Sequence, residues 1–439
     1  MTQQTARSVA LSLLLRCEHD QLYSNLALDT ALRRNALSDA DRALLTMLFY
    51  GVIERRLTLN YLIDALSERP AAQLDTEVLI LLRMGIYQLR YMDRIPAHAA
   101  LNETVALAPK RSRGFVNAVL RRYTREGNDI PMPDLQSEPL RHLSVTHSVP
   151  EALCERFVHA FGITRAASIL AAANQTPPLT LRVNTVKATP DALTERFAAA
   201  GYTPEPALHA KGALRLRDGG NPTTLPGFAR GEFFVQDEAS ILCTEAIDAH
   251  EGMTVLDICA CPGSKSFGMA IHMNNRGTLH AYDLHKNKLS LIRSGAERLG
   301  LDIITTDARD GRDYDPALDG VADRVLCDVP CSGYGVLAKK PEIRYKDPAA
   351  AAPLPDIQLA IAENACRYVK RGGVLLYSTC TLLPEENEQN VQRFLARHPE
   401  FSLCPFTAGD LQAPTGMLTL FPDEHGTDGF FMAKLVRND

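Results

Sequence analysis

Two cysteines, each just beyond an apolar run that reads as a buried parallel strand, are the residues best suited to chemistry: Asp328-Val-Pro-Cys331 and Ser378-Thr-Cys380. Open parallel sheets bind ligands outside the carboxyl ends of their strands, so thiols at two strand ends flank one crevice. A thiolate is a strong nucleophile near neutral pH. Carbon 5 of a pyrimidine needs such a group, because it becomes nucleophilic only after something adds at C6. Upstream, Leu256-Asp-Ile-Cys-Ala-Cys-Pro-Gly263-Ser-Lys265 runs from a strand into a turn of small residues with a helix N-terminus behind it. Together these segments point to a two-thiol enzyme acting on a base, with a nucleotide-like cofactor beside it.

Acids at successive strand ends extend the pattern. Asp283 lies where a carboxylate accepts hydrogen bonds from ribose hydroxyls. Asp307 ends the third strand, where it can accept from an adenine amino group, and Asp328 ends the fourth. Three carboxylates suit a positively charged cofactor, such as the sulfonium of S-adenosylmethionine, better than a pyrophosphate. Each alone is equally well explained as a cap or turn carboxylate. Cys327 reads as an inert core residue. No His pair accompanies Cys259/Cys261 or Cys327/Cys331, so no metal site is expected. These arguments leave Cys331 and Cys380 exchangeable as the nucleophile.

The elements that position these groups follow from periodicity. From about Gln236 onward, short apolar runs (Val255–Ile258, Thr278–Tyr282, Ile303–Thr306, Val325–Cys327, Val374–Tyr377) alternate with helical segments, the pattern of a doubly wound parallel sheet. Gly372-Gly373 reads as a turn, and Asp428–Val436 as a terminal strand. Residues 1 to about 125 show apolar positions three or four apart, an all-helical module in which Ser38 looks like a helix start. Glu151 to about Ala173 is again helical. Leu179–Asn184, a helix from Asp191 to Ala200, and short strands up to Phe233–Val235 make a small α+β unit. The expected domains are residues 1–127, 135–235 and 236–439.

At 439 residues the chain exceeds a single core, and 46% hydrophobic residues suffice for several. A net charge of −5 makes any nucleic-acid surface local. Lys110, Arg111, Arg113, Arg121, Arg122 and Arg125 form one such candidate, a phosphate-contacting patch or a solvated helix face. Lys339-Lys340-Pro-Glu-Ile-Arg344-Tyr-Lys346 is a second, expected to grip phosphates while Tyr345 stacks on a base. Residues Met1 to Thr5 show no signal-peptide pattern and no apolar run approaches membrane-spanning length, so a cytoplasmic protein with reduced thiols and no membrane partner is expected.

Cys259-Ala-Cys-Pro-Gly-Ser-Lys265, Asp328-Val-Pro-Cys331-Ser-Gly, and Thr379-Cys380 with Pro384-Glu-Glu-Asn387 resemble the RNA cytosine-5 methyltransferases of the Nol1/Nop2/Sun family. Pro96-Ala-His-Ala-Ala-Leu-Asn-Glu103 and Gly114-Phe-Val-Asn-Ala-Val-Leu-Arg-Arg122 resemble the NusB-like domain carried by its bacterial small-subunit ribosomal RNA members. The resemblance implies a multidomain fold: an all-α NusB-like N-terminal domain, a small α+β (RRM-like) middle unit and an α/β Rossmann-like class I methyltransferase domain. It implies S-adenosyl-L-methionine as cofactor, held by Cys259, Ala260, Cys261, Pro262, Gly263, Ser264 and Lys265 with Asp283, Asp307 and Asp328. It implies Cys380 as the thiol that attacks C6, Cys331 as the group assisting product release, and Asp328 and Lys265 as partners of the base.

The implied substrate is a single-stranded or loop cytosine of 16S ribosomal RNA, methylated by a monomer. The same chemistry on transfer RNA, or a non-catalytic RNA-binding assembly protein, are the rival readings. Cys261 and Ser264 stand where the family usually has alanine and glycine. Serine fits unless its φ is positive, and Cys261 is a candidate for oxidation.

Overall fold

The computed structural model describes residues 5–20, 24–217 and 219–438; Met1 to Gln4, part of the segment read for a signal pattern, lie outside them. The chain divides into two compact units, residues 1–174 with 340–346 and residues 175–339 with 347–439. Among the described residues no helix is long and apolar enough to cross a membrane.

The first unit is helical throughout, as its 3.6-residue periodicity predicts. Helices Ala6–Asp20, Ser24–Arg34, Asp39–Glu54, Arg56–Leu66, Thr76–Tyr91, Ala97–Leu107 and Arg113–Glu126 enclose one core that includes Leu45, Leu48, Phe49, Leu59, Leu62 and Ile63, each fully buried. Each such side chain stabilises the fold by roughly 1.5–3 kcal/mol relative to exposure. Ser38 caps the third helix, its hydroxyl accepting the N–H of Asp41 at 3.2 Å. The helical stretch expected from Glu151 to about Ala173 consists of two helices, Glu151–Phe161 and Ile163–Ala172, separated at Gly162, whose φ of 77° leaves the helical region.

The stretch Lys339–Lys346 corrects a sequence expectation. Arg344 is fully buried in the helical unit, donating to the carbonyls of Glu54 and His147 at 3.2 Å and Ala173 at 3.3 Å, and to the Asn174 side chain at 2.9 Å. The Tyr345 hydroxyl meets Ser148 Oγ at 2.9 Å, and Arg56 covers its ring at 3.9 Å. Lys339 is paired with Asp237 and Asp428. Arg344 and Tyr345 are thus occupied inside the protein, and Lys339, though exposed like Lys340 and Lys346, is held by two carboxylates.

In the second unit a four-stranded antiparallel sheet (Pro204–Pro206, Ala213–Leu216, Leu179–Val183, Phe233–Val235, in spatial order) packs on helix Pro190–Ala199, the expected α+β arrangement. The larger sheet has the order Phe401–Leu403, Phe430–Arg437, Val369–Thr379, Ala322–Asp328, Thr254–Asp257, Thr278–Asp283, Ile304–Ala308, with Met417–Leu420 also on Phe430–Arg437. The five strands from Val369–Thr379 to Ile304–Ala308 are parallel. The terminal strand joins antiparallel, making the sheet mixed.

Successive side chains alternate between two cores. Val255, Leu326 and Leu376 face one with Met269 and Ile292, while Leu256, Val325, Cys327, Leu375 and Tyr377 face the other with Leu359 and Phe394. Gly372 and Gly373 do not end a turn before the strand. They lie inside it, where Gly372 (φ 71°) accommodates a register shift against Ala322 and Arg324.

Candidate active site

The parallel strands bring their carboxyl ends to one edge. Thr254–Asp257 ends on Asp257 and passes into the turn of small residues. That turn is held by the N–H of Ala260 donating to the Tyr282 carbonyl at 2.8 Å and of Gly263 to the Ala260 carbonyl at 2.7 Å. Gly263, at φ 110°, caps helix Ser264–His272, and a Cβ there would come within 2.7 Å of the Phe267 ring. Ser264 is the first helical residue and is not among those with positive φ, so serine sits there without the strain feared from sequence. Asp283 clamps the turn from the next strand, accepting from the Cys261 N–H at 3.1 Å and the His285 N–H at 2.9 Å.

Lys265 Nζ lies 2.7 Å from Asp328 Oδ2, and Ser378 Oγ donates to the other oxygen of Asp328 at 2.9 Å. Burial alone would push the ammonium of Lys265 down, but the carboxylate of Asp328 beside it holds its pKa above the usual lysine value. Asp328 and Ser378 are register partners across adjacent parallel strands. Two residues beyond that strand edge, Cys380 Sγ lies 3.2 Å from Cys331 Sγ. Both thiols are half-buried. A hydrogen bond to Cys380, then burial, raises Cys331 well above the ordinary thiol value, with Glu386 and Asp328 adding to the effect.

The structure thus gathers Asp328, Lys265, Cys331 and Cys380 into one cluster, with the turn Cys259–Ser264 and Asp283 beside it. Asp307 stands apart. It lies on the edge strand Ile304–Ala308, its side chain 65% exposed, accepting the Ala308 N–H at 2.8 Å and facing Arg309 Nε at 3.5 Å. Burial raises Cys259 well above its usual value. Burial and then Asp283 push Cys261 up to about 12, which works against easy oxidation at that thiol. Cys327 is fully buried, as expected of a core residue.

Three residues here were given no role by the sequence reading. Asp257 is 1% exposed, and burial, opposed by the Ser266 hydroxyl at 2.6 Å, pushes its carboxyl up to about 7. Its Oδ1 has no hydrogen-bond partner among the described residues. Glu386 accepts from the Ser332 N–H at 3.0 Å and from Gln358 Nε2 at 2.8 Å, and Gln358 Nε2 also donates to the Pro330 carbonyl at 3.0 Å. Asn387 brackets Cys380, accepting from Thr379 Oγ1 at 2.6 Å and donating to the Thr381 carbonyl at 3.0 Å. The Pro384–Asn387 motif is thus the clamp that fixes both thiol-bearing loops. Asp257 ends a strand as Asp283 and Asp328 do, and that position was the available signal.

Comparison with known proteins agrees with this architecture. The model of the 16S rRNA methyltransferase RsmB/F family matches residues 244–436, the NusB family matches 4–125, and the ferredoxin-like domain of RsmF/B-like methyltransferases matches 149–222. The chain is 38% identical to a probable ribosomal RNA small subunit methyltransferase B of Bacillus subtilis (strain 168), over 99% of both chains. It is 36% identical to a protein of the same description from Synechocystis sp. (strain ATCC 27184 / PCC 6803 / Kazusa), again over 99% of both. The crystal structure of PH0851 superimposes with a TM-score of 0.80 at 26% identity, covering 98% of each chain. With a NusB domain, a ferredoxin-like domain and a methyltransferase domain in this order along its full length, the chain belongs to the RsmB/F family of small-subunit ribosomal RNA methyltransferases.

Proposed function

We propose that this protein methylates C5 of one cytosine in 16S ribosomal RNA, through a transient bond between Cys380 Sγ and C6 of the base. The observation that carries the reading is the 3.2 Å approach of Cys331 and Cys380 beside the Lys265–Asp328 pair. S-adenosylmethionine, when bound, supplies an electrophilic methyl group. The turn Cys259–Ser264 offers a close backbone approach for it, and Asp283, with Asp307 farther along the edge, offers carboxylates for its hydroxyl and amino groups.

Attack at C6 pushes electron density toward C5. A carboxyl at Asp328 facing N3 assists that flow, and Lys265 beside it balances its charge. Cys331 Sγ, 3.2 Å from Cys380 Sγ, is placed to assist the later steps in which C5 gives up its proton to a base and the sulfur of Cys380 departs. Bases in a duplex hide both ring faces, so the target is a loop cytosine or one flipped out. Lys110, Arg111, Arg113, Arg121, Arg122 and Arg125 are all exposed and supply the phosphate contacts of a helical RNA-gripping domain over residues 1–127, followed by a middle unit over 135–235 and a catalytic domain over 236–439. The protein acts in the cytoplasm as a monomer.

Cys380→Ala should reduce methyl transfer to background while S-adenosylmethionine still binds by calorimetry. Cys331→Ala should accumulate a protein–RNA adduct that survives a denaturing gel. Full activity of the first variant, or no adduct with the second, overturns the assigned roles. Bisulfite sequencing of RNA from a deletion strain should show one cytosine lost from 16S ribosomal RNA; loss from transfer RNA alone overturns the substrate.

A further inference from the structure

At the amino-terminal end of strand Val369–Thr379, opposite the end that carries Cys380, three side chains of metal-binding type converge. Cys366, 2% exposed, precedes the strand. His398 and Glu400 lie between helix Glu388–Arg397 and strand Phe401–Leu403. One ligand atom from each of the three lies within 4.8 Å of the others, and among the described residues this is the one group of three such side chains so close together. Cys366 Sγ is 3.7 Å from His398 Nδ1, which is 3.0 Å from Glu400 Oε1.

Tetrahedral zinc, with bonds of about 2.3 Å to sulfur and about 2.0–2.2 Å to nitrogen and oxygen, sets its ligands about 3.3–3.6 Å apart. The two separations that involve His398 need shifts of only a few tenths of an ångström to meet that, while Cys366 Sγ and the Glu400 carboxylate, within 4.8 Å of each other, close on the same point.

Two further observations favour an ion over a chance cluster. His398 turns Nδ1 inward and points Nε2 toward Glu363 Oε1 at 4.0 Å, beyond hydrogen-bond reach but near enough for the carboxylate to favour the Nε2–H form that leaves Nδ1 free for a metal. Glu363 is itself held by Arg397 at 2.9 Å, and the His398 ring stacks on Phe394 at 4.6 Å. The three ligand residues also line an open hollow of about 660 Å³, which leaves room for water as a fourth ligand. The thiolate and the carboxylate neutralise the dication between them, and of the cations that border the hollow (Arg367, Lys370, Arg371 and Arg437) Arg437 donates to the carbonyls of Arg367 and Val369, Lys370 pairs with Asp323 and Arg367 lies over the Tyr314 ring.

We propose that Cys366 Sγ, His398 Nδ1 and Glu400 Oε1 form a zinc site that pins the segment after helix Glu388–Arg397 to the base of the central strand. On binding, the Cys366 thiol gives up its hydrogen bond to the Glu363 carbonyl, at 3.2 Å. Its proton passes to solvent as the sulfur–zinc bond forms, and nothing is oxidised or reduced. The site is remote from the methyl-transfer cluster and does not depend on the function proposed above.

Cobalt(II) titrated into the reduced, full-length protein tests it. One equivalent should produce a thiolate-to-metal charge-transfer band in the near ultraviolet with the intense visible bands of a tetrahedral ion, and zinc should displace it. Cys366→Ser should abolish the band, whereas Cys331→Ala should keep it, which separates this site from the paired thiols of the cleft. Glu400→Gln, on an exposed side chain, should weaken zinc binding about tenfold or more in a chelator competition, with the far-UV circular dichroism of the variant unchanged. A spectrum showing only octahedral cobalt, a band that persists in Cys366→Ser, or unchanged zinc affinity in Glu400→Gln overturns the proposal.

Discussion

Asp257 shows how enclosure changes a side chain. Its carboxyl is raised to about 7, against an unfolded value near 4, because burial removes the water that would stabilise the anion. Between those two values the folded chain binds the additional proton, so this residue's contribution to stability declines as pH rises through that window. His147 and His272, lowered by burial to about 4 and about 3, act in the opposite sense, favouring the fold as pH rises toward 6.5. Asp257→Asn isolates the first effect. The melting temperature of the wild type, relative to that of the variant, should fall from about pH 4.5 to about pH 7.5, and a constant difference would exclude the raised carboxyl. The two thiols and the strand-end acids were legible from residue type and position. Asp257 and Glu386 were not assigned roles, because their significance lies in how completely the fold excludes water around them, which depends on residues distant in sequence.

Among the elements, the turn into helix Ser264–His272 is the most sensitive to backbone conformation. Gly263 holds a φ of 110° with its hydrogen against Phe267 and Ile292, so Gly263→Ala meets both left-handed strain and a clash. S-adenosylmethionine affinity should drop by tenfold or more, with a stability loss of about 1–3 kcal/mol in urea unfolding. Calorimetry showing wild-type affinity would remove the turn from the proposed cofactor site.

Four of the five parallel strands were readable because each is a compact apolar run feeding both cores, whereas the edge strand Ile304–Ala308 feeds only one. The short strands Phe401–Leu403, Phe406–Ala408, Leu411–Ala413 and Met417–Leu420 were not, since three or four residues are too few to establish a period. Gly372 was read as a turn for a related reason. Its left-handed backbone is a turn signal in isolation and a bulge when a neighbouring strand is present.

At the scale of the molecule, Arg344 is the residue whose environment differs most from what its type suggests. A cation next to an aromatic in a basic run reads as an RNA contact, yet it satisfies three backbone carbonyls and an amide inside the helical unit. Arg344→Ala leaves those acceptors buried without their donor and should cost about 3 kcal/mol in urea unfolding. Arg344→Lys should recover only part of that, because an ammonium cannot reproduce the planar fork. Equal stability of all three proteins would show that this guanidinium does not hold the unit together.

The chain leaves the helical unit at Asn174 and contributes to it again only from Lys340. At about 5–20 residues per second, a ribosome needs roughly 10–30 s to make the intervening stretch. During that interval the carbonyls of Glu54 and Ala173 lack the guanidinium that later meets them, and that of His147 has the Asn174 side chain but not Arg344. The part of the protein synthesised first is therefore among the last to mature, and a product that stops short of position 340 is born with an unfinished amino-terminal half.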